Sequence, residues 1–302
     1  MKDKAYLPLL FVSPLIALAY FVIRETQVAK TLGFPLDDAW IFWVFARNFA
    51  TGHGFSFNPG QPVLGSTSIL WVLVLSCSYL ITHSVVLISK FWGIVFFLSA
   101  VLLTYKISLY YTTKREVAFL GVLTFALAPA LIFGALSGME IPLATFLLCL
   151  TLFFHLREMG QNQKIFFAPI FGALSFVARP ELISLYPLLL VHDYVVMTKN
   201  ERQKGFHVDR KAIFKKLMLF VLFLCPSFVF SYLATGNLLP NILAAKTLDS
   251  GLLWAIRHGD LNELVISLTL NPFVWGGSML MTLIRLNALW AFFWRGDWSH
   301  LC

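Results

Sequence analysis

The 302-residue chain is 59% hydrophobic and only 13% charged, with a net charge of +8. Soluble domains carry about 45–50% apolar and about 25% charged residues, so an ordinary soluble domain is excluded. The basic residues lie between apolar runs rather than in one patch, which speaks against a nucleic-acid surface and for a polytopic, all-α protein in a lipid bilayer.

The first apolar run, about 6–23, follows the basic tip "MKDK" much as a signal peptide would. It is long for a signal core and no A-x-A-like cleavage site follows it, so a retained first helix is expected. The next loop, 24–66, contains "PLDDAWIFWVFARNFATGHGFSFNPG", Pro35 to Gly60. Its centre predicts a helix of about fourteen residues ended by Gly52 as the C′ glycine. That helix is too short to span. Trp40, Trp43, Phe45 and Phe49 suit a platform lying in the membrane interface. Asp37 and Asp38 precede it, and after Asp38 no carboxylate occurs until Glu116. One aspartate satisfies the N-cap and the helix dipole. The second is left for chemistry.

Further apolar runs lie at about 68–82, 85–105, 117–134, 141–156, 165–178, 182–198, 217–234 and 264–294. The segment "TKNERQKGFHVDRKAIFKK", 198–216, holds seven Lys and Arg, and "YYTTKRE" and "LREMGQNQK" are basic too. "ALSGME" and "TGNLLPN" carry no positive charge. Basic loops belong in the cytoplasm. Counting outward from 198–216 places 24–66, Ser137 to Glu140, and Arg179 to Glu181 outside. Parity then requires that 68–82, short for a span, does not cross alone.

This arrangement gathers Asp37, Asp38, Glu140, Arg179, Glu181, Asn241 and Lys246 on the outer face, from four different loops. A guanidinium such as Arg179 presents a planar fork suited to phosphate oxygens, although a residue at a helix end also snorkels. Glu181 can serve simply as its ion-pair partner. Arg47 either reaches the outer surface or anchors the platform helix in the interface. The four cysteines show no metal-ligand spacing, and neither a disulfide nor zinc is inferred from them.

The stretch "DDAWIFWVFARNFATGHGFSFNPGQPVLGSTSILW" resembles the first external loop of GT-C glycosyltransferases, nearest to the bacterial arabinofuranosyltransferase-like branch. "SGMEIPL" at 137–143, "ARPE" at 178–181 and "TGNLLPNILAAK" at 235–246 resemble the same branch, in the same order. The resemblance covers about residues 1–250. It implies a GT-C helical bundle and an enzyme that takes a sugar from a polyprenyl-phosphate donor. The sugar passes to a glycan, lipid or protein acceptor outside the cytoplasm, with inversion at the anomeric carbon. The catalytic base then falls on Asp37, with Asp38 as a sugar contact or helix cap. Glu140 is the second-loop acid, and Arg179 and Lys246 are the phosphate contacts, with Glu181, Arg47 and Asn241 beside them. Some relatives hold a divalent cation, Mg or Mn, on such acids, which here would be Asp37 and Glu140. Chains of that family usually run longer, so residues 251–302, an interfacial segment plus one helix, would be the start of a missing part or a short form. The rival readings are a multi-pass transporter, with Asp193 as its ionisable candidate, and a non-catalytic scaffold for envelope assembly.

Overall fold

The computed structural model describes residues 3–63, 65–159, 166–204 and 210–235. Among these the chain is all-α, with no strand beyond an isolated Ser56–Pro62 bridge. The helices are α1 (Asp3–Ala29), α2 (Asp38–Ala50), α3 (Ile69–Tyr79), α4 (Val85–Tyr111), α5 (Arg115–Ala126) and α6 (Pro129–Leu136). They continue with α7 (Ile141–Met159), α8 (Ala168–Ala178), a 3-10 turn at Pro180–Ser184, α9 (Leu185–Lys204) and α10 (Arg210–Thr235).

Among the described residues, five segments are long and apolar enough to cross a bilayer: Pro8–Ala29, Val85–Tyr111, Ile141–Met159, Pro180–Thr198 and Lys211–Ala234. The protein is therefore a multi-pass membrane protein. The run expected as one helix at 117–134 is instead two, α5 and α6, bent by 54°. The cause is Pro129: it takes the first position of α6, and Ala128 before it is forced extended (ψ 119°). The expected helix at 264–294 lies outside the described residues, as does the whole of 251–302.

The segment 68–82 forms only α3, 11 residues, about 16 Å long against a hydrocarbon core of about 30 Å. It does not cross alone. Instead α3 packs on α2, and the two share a core of Phe42, Trp43, Phe45, Trp71, Val72 and Leu75 with Leu143 and Leu147 of α7. Each buried indole needs a partner for its N–H, and here each has one. Trp43 Nε1 donates to Ser89 Oγ at 2.9 Å, Trp92 Nε1 to Ser78 Oγ at 2.8 Å, and Trp71 Nε1 to the Gly138 carbonyl at 3.0 Å. These bonds fix the platform in register with α4 and the α6–α7 turn.

Helix α8 was expected as a span but has only 11 residues. Its first amides, Phe167 N and Ala168 N, donate to Glu158 Oε1 near the end of α7, while Arg179, just past its end, reaches Glu140 at the start of α7. So the long side chains of Glu158 and Arg179 link the short α8 to both ends of α7. The helix lies within protein: Ala168, Pro169, Gly172, Ala173, Ser175, Phe176 and Ala178 are buried. A Cβ on Gly172 would lie 2.7 Å from Tyr186 Cβ. A short helix wrapped by neighbours need not match the bilayer, because its polar ends are satisfied by protein.

Candidate functional site at the Asp37 end of the bundle

Helix α2 begins as its sequence demands. Asp37 accepts a hydrogen bond from the Asp38 amide at 3.0 Å, and its carbonyl accepts from Trp40 N at 2.9 Å. At the other end Gly52 adopts φ +82°, the left-handed conformation of a C′ glycine. The four aromatic residues divide. Trp43 and Phe45 are buried in the core, whereas Trp40 and Phe49 are exposed. Only the latter pair is exposed as an interfacial platform requires, because α3 and α7 cover the opposite face of α2.

The α6–α7 turn is held against this helix. Gly138 has φ +80°, and a Cβ there would meet Phe34 Cε1 at 2.4 Å, so both backbone and space require glycine. Phe34 in turn packs edge-on against Trp40, centroids 4.9 Å apart. The first loop is thereby docked on "SGME". The last residue of that motif, Glu140, is 1% exposed. Its Oε1 lies 3.6 Å from Arg179 Nη1, and its Oε2 is buried with no hydrogen-bond partner. Arg179 Nε lies 3.5 Å from Glu181 Oε2. The guanidinium is thus held from behind by two carboxylates while about a third of the side chain (36%) faces water.

Burial pushes the Glu140 carboxyl above its ordinary value, Arg179 pulls it back, and the charges of Glu181 and Asp38 add to the upward push. Glu140, Arg179 and Glu181, from two separate loops, thus meet at one end of the bundle. The packing of Phe34 on Trp40 and against Gly138 brings the start of α2, with Asp38, to the same end. Asp37 sits beside them, its carboxylate exposed. Arg47 does not join them. It lies nine residues along α2 from Asp38, about 13 Å, and its guanidinium donates to Asn48 Oδ1. Asn241 and Lys246 lie outside the described residues.

These acids do not suit a bound divalent cation. Arg179 already supplies the positive charge between Glu140 and Glu181. Among the described residues the three-residue set close enough to ligate a metal lies elsewhere.

Two features escaped the sequence reading. Near the Asp37 end, Lys90 of α4 is buried and binds Glu25 Oε2 at 2.8 Å and the Leu136 carbonyl at 2.9 Å, while Glu25 also accepts from Gly33 N at 3.1 Å. This pins the start of the first loop to α4 and α6. At the opposite end, Lys216 pairs with Asp193 (2.6 Å) and lies 3.9 Å from Glu158. His155 stands 3.7 Å from Asp193 and shares a 3.2 Å hydrogen bond with His192. Lys216 was counted with the basic loop, but it is buried. The adjacent His192 and Asp193 and the His155-x-x-Glu158 spacing on α7 were the available sequence signals.

No protein-family model, curated protein or solved structure matches the chain.

Proposed function

We propose that the chain is an inverting glycosyltransferase that moves a sugar from a polyprenyl-phosphate donor to a glycan, lipid or protein acceptor. It acts on the non-cytoplasmic face of the cytoplasmic membrane. The observation that carries this reading is the convergence of Asp38, Glu140, Arg179 and Glu181 beside Asp37, on a platform of two short helices. An amphiphilic donor needs such an arrangement: a polar, charged centre next to apolar surface that meets the lipid chain.

The chemistry assigns the roles. A sugar hydroxyl is a poor nucleophile at neutral pH, and a positioned carboxylate base contributes roughly 10²–10⁴-fold. Asp37 is exposed and oriented by its bond from the Asp38 amide, which leaves its second oxygen open. It takes the proton from the acceptor hydroxyl as that oxygen bonds to the anomeric carbon. The bond from the anomeric carbon to the phosphate oxygen breaks, and polyprenyl phosphate leaves with the electron pair. Its charge calls for cationic contacts rather than an acid. Arg179, paired with Glu140 and Glu181 and about a third open to water, supplies them. Asp38 serves as a sugar contact.

The test is transfer of sugar from a synthetic polyprenyl-phosphate donor by the purified full chain, read as release of polyprenyl phosphate. Turnover above a heat-treated control supports the reading. No donor binding and no turnover with pentose and hexose donors would reject it. A transporter is the second reading, because Glu158, Asp193 and Lys216 form an ionisable network buried within the bundle. Solute uptake into vesicles without sugar transfer would favour it.

A further inference from the structure

The network at the Lys216 end is built like a ligand set. His155 on α7 and His192 and Asp193 on α9 each offer one donor atom, and these lie within 4.8 Å of one another. His155 and Asp193 are buried, and His192 is half-buried at the edge. Asp193 divides its two oxygens. Oδ2 is held by Lys216 at 2.6 Å, while Oδ1 faces His155 Nδ1 at 3.7 Å and has no hydrogen-bond partner despite complete burial. An unpartnered buried carboxylate oxygen is costly, and this one is aimed at the imidazole. The ammonium on the other oxygen is the kind of outer partner that orients a metal-ligating carboxylate. Glu158, on the same face of α7 as His155, is fixed by the Phe167 and Ala168 amides through Oε1.

We infer that His155, His192 and Asp193 form a binding site for a zinc-like divalent cation that ties α7 to α9 at the end of the bundle opposite Asp37. The geometry is near what such a site needs. The three donor atoms lie within 4.8 Å of one another, against about 3.4 Å between two ligand atoms each about 2.1 Å from a tetrahedral zinc. His155 faces His192 with Nε2 and Asp193 with Nδ1, so metal binding takes one of these nitrogens and turns the ring to serve both partners. Two imidazoles and one carboxylate favour zinc, or cobalt as its probe, over magnesium, which demands oxygen ligands. Three protein ligands leave one position for water on the half-buried His192 side. The site is independent of glycosyl transfer and stands whether or not that reading holds.

The experiment uses the full chain carrying a non-histidine tag, in nanodiscs, stripped with chelator and equilibrated with Zn²⁺ or Co²⁺. One equivalent of zinc should survive dialysis, millimolar Mg²⁺ should not displace it, and Co²⁺ should give a visible absorption band of a low-coordinate site. Zinc should also raise the thermal midpoint. His192→Gln lies at the half-buried edge and should fold. It should weaken zinc binding at least about tenfold, since even outer partners cost that much, and should abolish the thermal shift. His155→Gln should do the same. Wild-type protein that retains no zinc, or equal retention by wild type and His192→Gln, would overturn the inference.

Discussion

Glu140→Gln separates what the cluster at the Asp37 end does for stability from what it does for binding. The wild-type side chain is 1% exposed, and its Oε2 has no hydrogen-bond partner. An unpaired buried polar atom costs on the order of 1–3 kcal/mol. Arg179 offsets part of this, but its guanidinium is partly in water and 3.6 Å away. Exposed pairs are worth about 0–1 kcal/mol. Removing the charge should leave the protein unchanged or more stable by about 1–2 kcal/mol near pH 8. The pH dependence has a definite sign. Burial raises the folded-state carboxyl, so its contribution to stability is full in acid and declines as pH rises through the raised value. The advantage of glutamine should therefore shrink as pH falls toward the usual carboxylate range and vanish below it. Arg179, released from Glu140, should at the same time lose its fixed orientation and weaken donor binding. Thermal midpoints of both proteins between pH 4.5 and 8, with donor binding measured in parallel, read both effects. A glutamine variant clearly less stable than wild type at pH 8 would refute the reasoning, because the Glu140–Arg179 pair would then be a net structural asset.

Other perturbations probe the framework. Gly138→Ala should destabilise strongly, through both its positive φ and the Phe34 ring, and Phe34→Ala in the same chain should recover only part of the loss in thermal midpoint. Lys90→Met should cost about 1–3 kcal/mol by removing a partner of Glu25 and of the Leu136 carbonyl, and adding Glu25→Gln should restore part of it, as a double-mutant cycle would read. Arg179→Ala should lower donor kcat/KM about ten- to hundredfold, with Arg179→Lys recovering it only in part because an ammonium lacks the fork. Cysteines placed at Thr31 and His53, both exposed, should be labelled from outside intact cells, and one at Thr113 only after permeabilisation. Labelling of Thr113 from outside would invert the proposed orientation. Ser137 would make a poor probe, being buried against Gly134.

The parts of the fold that depend on length and local chemistry were legible in the sequence. The Asp37–Asp38 start and Gly52 end of α2, the non-spanning α3 and the long apolar helices follow from caps, glycine and run length. The break at Ala128–Pro129 was equally readable but was overrun by the hydrophobicity around it. What the chain order hides is pairing. Nothing local to Lys90 announces Glu25, 65 residues away, and nothing local to Lys216 marks it as buried rather than one more basic loop residue. The burial of Trp43 and Phe45 also depends on which helix covers α2, which composition alone does not reveal. For the cluster at the Asp37 end, the alternation of strongly basic loops with short, less basic ones was enough to group Glu140, Arg179 and Glu181 at one end of the bundle. That Arg179 is clamped by both Glu140 and Glu181, and that Arg47 lies away from them, needed coordinates.

The most direct test of glycosyl transfer is Asp37→Asn. Asparagine caps a helix as well as aspartate does, and its side-chain oxygen can still accept from the Asp38 amide. Only the proton acceptor is lost. Transfer from a polyprenyl-phosphate sugar should fall at least about 10²-fold, with thermal midpoint and donor binding unchanged, while Asp38→Asn should impair transfer less. Full transfer by Asp37→Asn would contradict the assignment of Asp37 as the base and leave that aspartate as the start of a helix.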